Sequence, residues 1–476
     1  MPGKDKIMAN NFKSTAELRG LLADRQSDAE KKLGDGKLSA HARMALLFDE
    51  GTFVEVGAYI RRKKTELDLK SDEDFEPVVT GYGAVDGTLV YAFSQDYSRL
   101  SGALGEAHAK KIADIYDMAL RSEAPIVGVF DSAGAKILEG VDALAGYGKI
   151  MEKASASKTA IPQIAVIAGP CGGASAVIAK MFDIIITTEN GSLYIVPASV
   201  CEDKEIGTPA RLYKEGASAF AAKDEAEALA LVRRLIPYFG TFIDNTDDAS
   251  RAVDIDTILS NENYEVRDVI AEIADAGSFI ELSAGHARHM VTGLASINSR
   301  VVGIVATDPA VKGGALCPCA VEKAADFIDM CSGFEIPVLT LVDTVGVPQK
   351  EHVEEKGISE KLAHLAVSYT GGLSPKVTVV LGKAFGTAYT VLGSRSLGAD
   401  VAFALDRAEI APMAPERAVE FLGDVTDESK KTEIASEWAE KFASPLEAAK
   451  NGHIDDIIEA SELRARIAAS LEMLAF

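Results

Sequence analysis

The sequence predicts a mixed α/β protein built as two copies of one domain, and three observations carry that prediction. The first is an internal repeat. Asp49, Gly51, Phe53 and Glu55 recur as Asp275, Gly277, Phe279 and Glu281. A tighter register then runs from Thr80, matched by Thr292, to Asp131, matched by Asp343, at a constant offset of 212 residues. Lys111, Asp117, Met118, Glu123 and Pro125 keep that offset from Lys323, Asp329, Met330, Glu335 and Pro337. A register held this long marks duplicated domains. The second observation is an alternation of short apolar runs with amphipathic ones, which implies strands paired in a sheet and covered by helices. The third is size: 476 residues that are 47% hydrophobic support two or three domains with large cores. The polar, acidic stretch 244–264 separates the copies, giving domains at 1–245 and 246–476.

The elements follow in chain order. Thr15–Leu33 reads as a helix with Leu18, Leu21 and Leu22 on one side. Val78–Gly83 and Leu89–Phe93 read as a hairpin, Gly105–Arg121 as an amphipathic helix, Ile126–Asp131 as a buried strand, and Ile137–Ser157 as a second helix with small residues on one side. The second copy repeats the order with Val301–Thr307, Cys319–Gly333, Val338–Asp343 and Ile358–Thr370, and Ser461–Leu474 reads as a closing helix.

Composition removes several functional classes. The formal net charge of −23 makes nucleic acid and anionic membranes poor partners. No apolar run approaches the roughly 18 residues needed to span a bilayer. The polar N-terminus lacks the apolar core of a secretory signal, and five cysteines form no disulfide framework, so a cytoplasmic location is expected.

The repeat continues into the candidate chemistry. Residues 161–175 align with 374–388 at an offset of 213, pairing Pro162 with Pro375, Gly169 with Gly382 and Gly173 with Gly386. Each copy ends a buried strand in a small-residue turn that opens a helix. There the N–H groups of Gly173 and Ala174, and those of Gly386, Thr387 and Ala388, are expected to meet a ligand oxygen, helped by the positive end of the helix dipole. Each half thus holds one candidate oxyanion hole.

These residues carry a resemblance. DSAGAKILEG (131–140) with VDALAGYG (141–148), AGPCGGA (168–174), KAFGTAY (383–389) and AEIAPM (408–413) resemble, in order, the motifs of biotin-dependent acyl-CoA carboxyltransferases. That family includes propionyl-CoA carboxylase β subunits and the carboxyltransferase subunits of methylmalonyl-CoA and glutaconyl-CoA decarboxylases. The resemblance implies a pair of crotonase-like (ClpP/crotonase) ββα spiral domains. It implies that Gly173 and Ala174 hold the thioester oxygen of an acyl-CoA, that Gly386, Thr387 and Ala388 hold the ureido oxygen of biotin, and that Ser132, Ala133, Gly134 and Ala135 line the acyl-CoA side. It also implies a hexamer, a trimer of dimers, in which the N-terminal domain of one protomer faces the C-terminal domain of another.

The chain departs from the family pattern at Ala133, Ala174 and Thr387, where the family has glycine, at Lys136, where it has arginine, and over 345–350, where a proline-glycine stretch is replaced by VGVPQK. The added methyls favour a short acyl chain, acetyl/malonyl or propionyl/methylmalonyl. None of the ten methionines precedes a lysine, so the biotinylation motif is missing, and no Gly-rich P-loop is present for ATP. Biotin is therefore expected on a biotin carboxyl carrier protein, alongside a biotin carboxylase or a membrane decarboxylase subunit. A crotonase-type hydratase or hydrolase, and a non-catalytic scaffold of a biotin enzyme, are the alternatives.

Several other residues invite a functional reading. Arg61–Lys64 is a candidate for CoA phosphates. Asp131 and Glu139 offer a general acid/base pair or, equally, helix-cap and packing roles. Cys171 reads as a buried small residue. Cys317, Cys319, His286 and His289 are metal-ligand types whose spacing along the chain does not suit a tetrahedral site, so they read as structural and no metal is expected.

Overall fold

A computed structural model describes residues 14–33, 36–63, 75–244, 247, 251–421 and 428–474, and shows two eight-stranded sheets. The first contains β1 (Val54–Glu55), β2 (Val78–Val85), β3 (Thr88–Gln95), β4 (Ile126–Ser132), β5 (Gln163–Gly172), β6 (Ile184–Thr188), β7 (Ser192–Tyr194) and β8 (Phe220–Ala222). The second contains β9 (Ile280–Leu282), β10 (Met290–Ile297), β11 (Arg300–Thr307), β12 (Val338–Thr344), β13 (Lys376–Phe385), β14 (Val401–Leu405), β15 (Glu409–Ala411) and β16 (Asp456–Ile458). The first runs β1-β2-β3-β4-β5-β6-β8 with β7 beside β5, and the second runs β9-β10-β11-β12-β13-β14-β16 with β15 beside β13. The sheets correspond strand for strand. In each, the first three strands are antiparallel and the rest parallel.

The central strands β4 and β12 are buried along their whole length, and each is mainly apolar up to the aspartate near its carboxyl end, as a strand covered on both faces requires. The repeat extends to single hydrogen bonds. Asp49 accepts from the hairpin N–H groups of Asp86 and Gly87 at 3.1 and 3.0 Å and pairs with Arg233 at 2.8 Å. Asp275 accepts from Asn298 and Ser299 at 2.9 and 2.8 Å and pairs with Arg464 at 2.8 Å. Each arginine also bonds the last carbonyl of a short helix, Leu47 or Ile273, so one side chain ties helix, hairpin and sheet together in both halves.

The expected elements form, with two differences. The second half has a full hairpin, because β10 precedes the expected strand as its eight-residue antiparallel partner. The helix expected over 137–157 is broken at Gly140 (φ 56°) into a 3₁₀ turn, Ile137–Glu139, and a helix, Val141–Ala156.

The two halves share a core. The face of the first sheet covered by helices Ala40–Leu47 and Glu225–Leu235 merges with the face of the second covered by Pro318–Gly333 and Ile358–Gly371. Each sheet's other face has its own cluster. The merged faces are not repeat equivalents, because Ala40–Leu47 corresponds to Val266–Ile273, which lies in the separate cluster of the second half. The halves therefore join head to tail. Phe239 packs edge-on against Phe334 at 5.1 Å, Tyr238 donates to the Ser278 carbonyl, and Phe242 bridges to Arg300 across the seam. Among the described residues no helix is long and apolar enough to cross a membrane.

Candidate active site

Both candidate turns lie at the carboxyl end of the fifth strand of their sheet, the edge where ligands of parallel sheets gather. Gly173, at φ 59° and ψ −128°, links β5 to the helix Ala174–Lys180, and Gly386, at φ 60°, opens the helix Gly386–Val391 after β13. A backbone with this positive φ strains any L side chain, so the turns require glycine.

The donors at the two turns differ from the expectation in one respect. The Gly173 N–H is spent on the Tyr194 carbonyl at 2.9 Å, so this residue shapes the turn but its N–H does not face a ligand. The next donors inward, Ala176 and Val177, both bond the Gly173 carbonyl. That leaves Ala174 and Ser175, whose first-turn N–H groups have no acceptor within the helix. Ser175 was not among the expected site residues. The signal was there, since the offset of 213 pairs it with Ala388. On the other side, the N–H groups of Gly386, Thr387 and Ala388 lie in the first turn of their own helix.

The loop Ser132–Ala135 sits beside the first turn because Ser132 pairs with Cys171 in the β4–β5 ladder. Its backbone is clamped. Ala133 N–H donates to Ser101 at 2.9 Å, Gly134 N–H to the Ser132 hydroxyl at 3.1 Å, and Ala135 bridges to Leu104. Ala133 is exposed, whereas Ala174 is half-buried. The second half repeats the arrangement, with Thr344 beside Ala384 in the β12–β13 ladder.

Asp131 is fully engaged elsewhere. Its carboxylate pairs with Arg43 at 2.8 Å and Lys37 at 2.7 Å, and Arg43 is shared with Glu225 at 2.5 Å. Gly169 leaves room for this carboxylate, since a Cβ there would stand 2.0 Å from its Oδ1. Glu139 pairs with Lys136 at 2.5 Å and accepts the Glu106 N–H at 2.6 Å, capping the helix Glu106–Arg121. Cap and packing are thus the roles of this acidic pair. Cys171 is buried, and burial pushes its thiol well up.

In the basic run, Arg61 stacks on Phe75 and Arg62 is buried. Lys63 pairs with Asp142 at 2.8 Å and Glu106 at 3.2 Å, while Lys64 lies outside the described residues. His289, Cys317 and Cys319 come together, with His289 Nε2 3.1 Å from the Cys317 sulfur.

A cavity of about 760 Å³ opens in the seam between the halves, lined by Lys180, Asp183, His286, Lys323 and Phe334 but by neither turn. Exposed apolar side chains gather in the first half instead: Val177 on the helix that the first turn opens, Ile195 next to the Tyr194 that accepts the Gly173 N–H, and Ile137 (88% exposed), Val141 (75%) and Val200. A single chain leaves this surface uncovered.

Comparison with known proteins gives one consistent result. The carboxyl transferase domain model matches residues 31–475. The α subunit of methylmalonyl-CoA decarboxylase from Propionigenium modestum is 37% identical, covering 94% of this chain and 92% of that relative. The β chain of propionyl-CoA carboxylase from Roseobacter denitrificans is 34% identical, covering 95% and 94%. The crystal structure of transcarboxylase 12S, a hexamer with methylmalonyl-coenzyme A and methylmalonic acid bound, superposes with a TM-score of 0.91 at 33% identity, covering 98% of this chain and 97% of that one. The two sheets are thus the duplicated crotonase-like domains that the motifs imply.

Proposed function

Because this chain belongs to the carboxyl transferase domain family and is a carboxyltransferase of the propionyl-CoA carboxylase and methylmalonyl-CoA decarboxylase type, we propose that it moves a carboxyl group between carboxybiotin and a short acyl-CoA. The observation that carries this reading is the pair of glycine turns at matched strand ends, each opening a helix whose first N–H groups have no acceptor within it. The transfer develops negative charge on two oxygens, that of the thioester and that of the ureido group. Two sets of fixed N–H donors suit it.

In this reading Ala174 and Ser175 hold the thioester oxygen as the α-carbon loses its proton, with Gly173 fixing the turn. Gly386, Thr387 and Ala388 hold the ureido oxygen. Carboxybiotin, when bound, supplies the CO2 and a basic ureido nitrogen. The clamped loop Ser132–Ala135 bounds the acyl side and the exposed apolar rim excludes water once covered. The described residues fit biotin as donors to its oxygen, and with no biotinylation motif in the chain the carrier is a separate subunit.

The uncovered rim supports assembly with a second copy, whose C-terminal half closes the cleft, within a hexamer. We assign the domains to 1–245 for the acyl-CoA and 246–476 for biotin.

The test is turnover of methylmalonyl- and malonyl-CoA with free biotin as acceptor and no ATP. Biotin-dependent loss of the carboxyl group, yielding propionyl- or acetyl-CoA, is the expected result. Equal turnover without biotin would favour a hydratase or hydrolase, and acyl-CoA binding without turnover a scaffold. Sedimentation showing a fully active monomer would overturn the shared cleft.

A further inference from the structure

We propose that His289, Cys317 and Cys319 form a zinc site that the repeat does not require and that belongs to the second half alone. His289 immediately precedes β10, is buried, and has its backbone fixed by the Asp308 N–H at 3.0 Å. Its Nε2 stands 3.1 Å from the Cys317 sulfur, which stands 2.7 Å from the Cys319 sulfur, and all three ligand atoms lie within 4.8 Å of one another. Cys317 is the N-cap of the helix Pro318–Gly333, and Pro318 at the first helical position makes the Cys-Pro-Cys turn rigid.

The first half acts as an internal control. At the offset of 212 the three positions are Pro77, Gly105 and Ala107, which carry no ligand atom. The matching helix Glu106–Arg121 there takes its cap from Glu139. The duplicated fold therefore forms without this trio, and packing alone does not call for a histidine and two thiols at one point.

Two thiolates and an imidazole select a borderline-soft ion rather than magnesium or calcium. Zinc at about 2.3 Å from each sulfur in tetrahedral geometry holds them about 3.8 Å apart, so the thiols must open by roughly 1 Å, within reach of a side-chain rotation. Both cysteines are half-exposed, which leaves the fourth position to water or an added ligand. The ion ties the start of the helix to the start of β10. Through Leu316 N–H on the Gly346 carbonyl at 3.0 Å it also steadies the loop after β12, the counterpart of Ser132–Ala135.

The experiment uses the full chain, prepared with reductant and zinc, and reads metal rather than activity. Elemental analysis should give one zinc per chain. Cobalt substitution should give thiolate-to-cobalt charge-transfer bands, and both signals should vanish in Cys317→Ser/Cys319→Ser. Zinc should shield Cys317 and Cys319 from alkylation while Cys201 still reacts, a mapping by mass spectrometry on unaltered protein that holds even if the variant fails to fold. Zinc-replete protein without bound metal or cobalt bands overturns the proposal, as does a Cys317–Cys319 disulfide formed in preference to zinc binding.

Discussion

Asp131 and Asp343 occupy the same place in the two halves, at the carboxyl end of the central strand, and are held by different chemistry. Asp131 is held by two cations, Arg43 and Lys37. Asp343 accepts from the Tyr264 hydroxyl at 3.0 Å and the Lys383 N–H at 2.9 Å, and burial pushes its carboxyl up from the usual range. Both face a glycine on the next strand, where a Cβ would stand 2.0 Å from a carboxylate oxygen at Gly169 and 2.2 Å at Gly382. Duplication has kept the shape of the joint, a carboxylate wedged against a bare backbone, and let its charge balance diverge. The part shared by both halves organises the strand end, and the part that differs is where their behaviour should separate.

The largest separation is expected in stability. Asp131→Asn leaves the buried Arg43 with Glu225 as its one remaining carboxylate and the half-buried Lys37 without its ion pair, and should cost about 3–5 kcal/mol. Asp343→Asn keeps an acceptor for the Lys383 N–H and should cost about 1–2 kcal/mol. Urea denaturation of the two variants compares them directly, and equal losses break the distinction.

Next come the two turns. Gly173→Val should abolish exchange with the thioester while slow decarboxylation of free carboxybiotin survives, and Gly386→Val should do the reverse. Each loss should reach about 10²–10³-fold, the scale of a lost oxyanion donor, because a side chain strained at the positive φ of the turn displaces the N–H groups that follow it. Parallel loss of both activities in both folded variants argues against separate holes.

A smaller effect tests what the halves share. Burial lowers the matched lysines Lys111 and Lys323 to about 8. The unfolded chain holds those protons up to about pH 10.4. Below pH 8 the folded state carries the full cost of two buried charges, and between pH 8 and about 10.4 that cost fades because the unfolded state binds more protons. Stability should thus rise with pH through this window. Lys111→Met and Lys323→Met should each remove about half of the rise, and denaturation midpoints from pH 7 to 10 check it.

The smallest effect concerns acyl choice. The Ala174 methyl lies half-buried at the first turn, while Ala133 is exposed. A methyl in an apolar pocket is worth about 1–3 kcal/mol, so malonyl- or methylmalonyl-CoA should exceed glutaconyl-CoA in kcat/KM by tenfold or more. Ala174→Gly should narrow the gap and Ala133→Gly should not. A clear preference for glutaconyl-CoA sinks the pocket argument.

The sequence makes the duplication legible because a constant offset needs equal element lengths, and β2 through β5 match β10 through β13 in length strand by strand. The strand ends carrying Gly173 and Gly386 were legible for the same reason. What the chain hides depends on atoms arriving from elsewhere. The acceptor for the Gly173 N–H comes from β7, a three-residue strand with no periodicity to read. The break at Gly140 is written only in a backbone angle. His289 lies 28 residues from Cys317, and they meet because the β10–β11 hairpin returns the chain to its own starting edge, a closure that linear spacing cannot express.

The head-to-tail seam has a mechanical consequence. Two domains joined by a thin polar contact rock against each other by default, but a large apolar junction removes that freedom. Here the shared cluster draws residues from both sheets and from helices of both halves, so bending one half against the other means exposing the inside of the molecule. The chain is a beam rather than a jaw. Its two glycine turns are the fixed ends of the span.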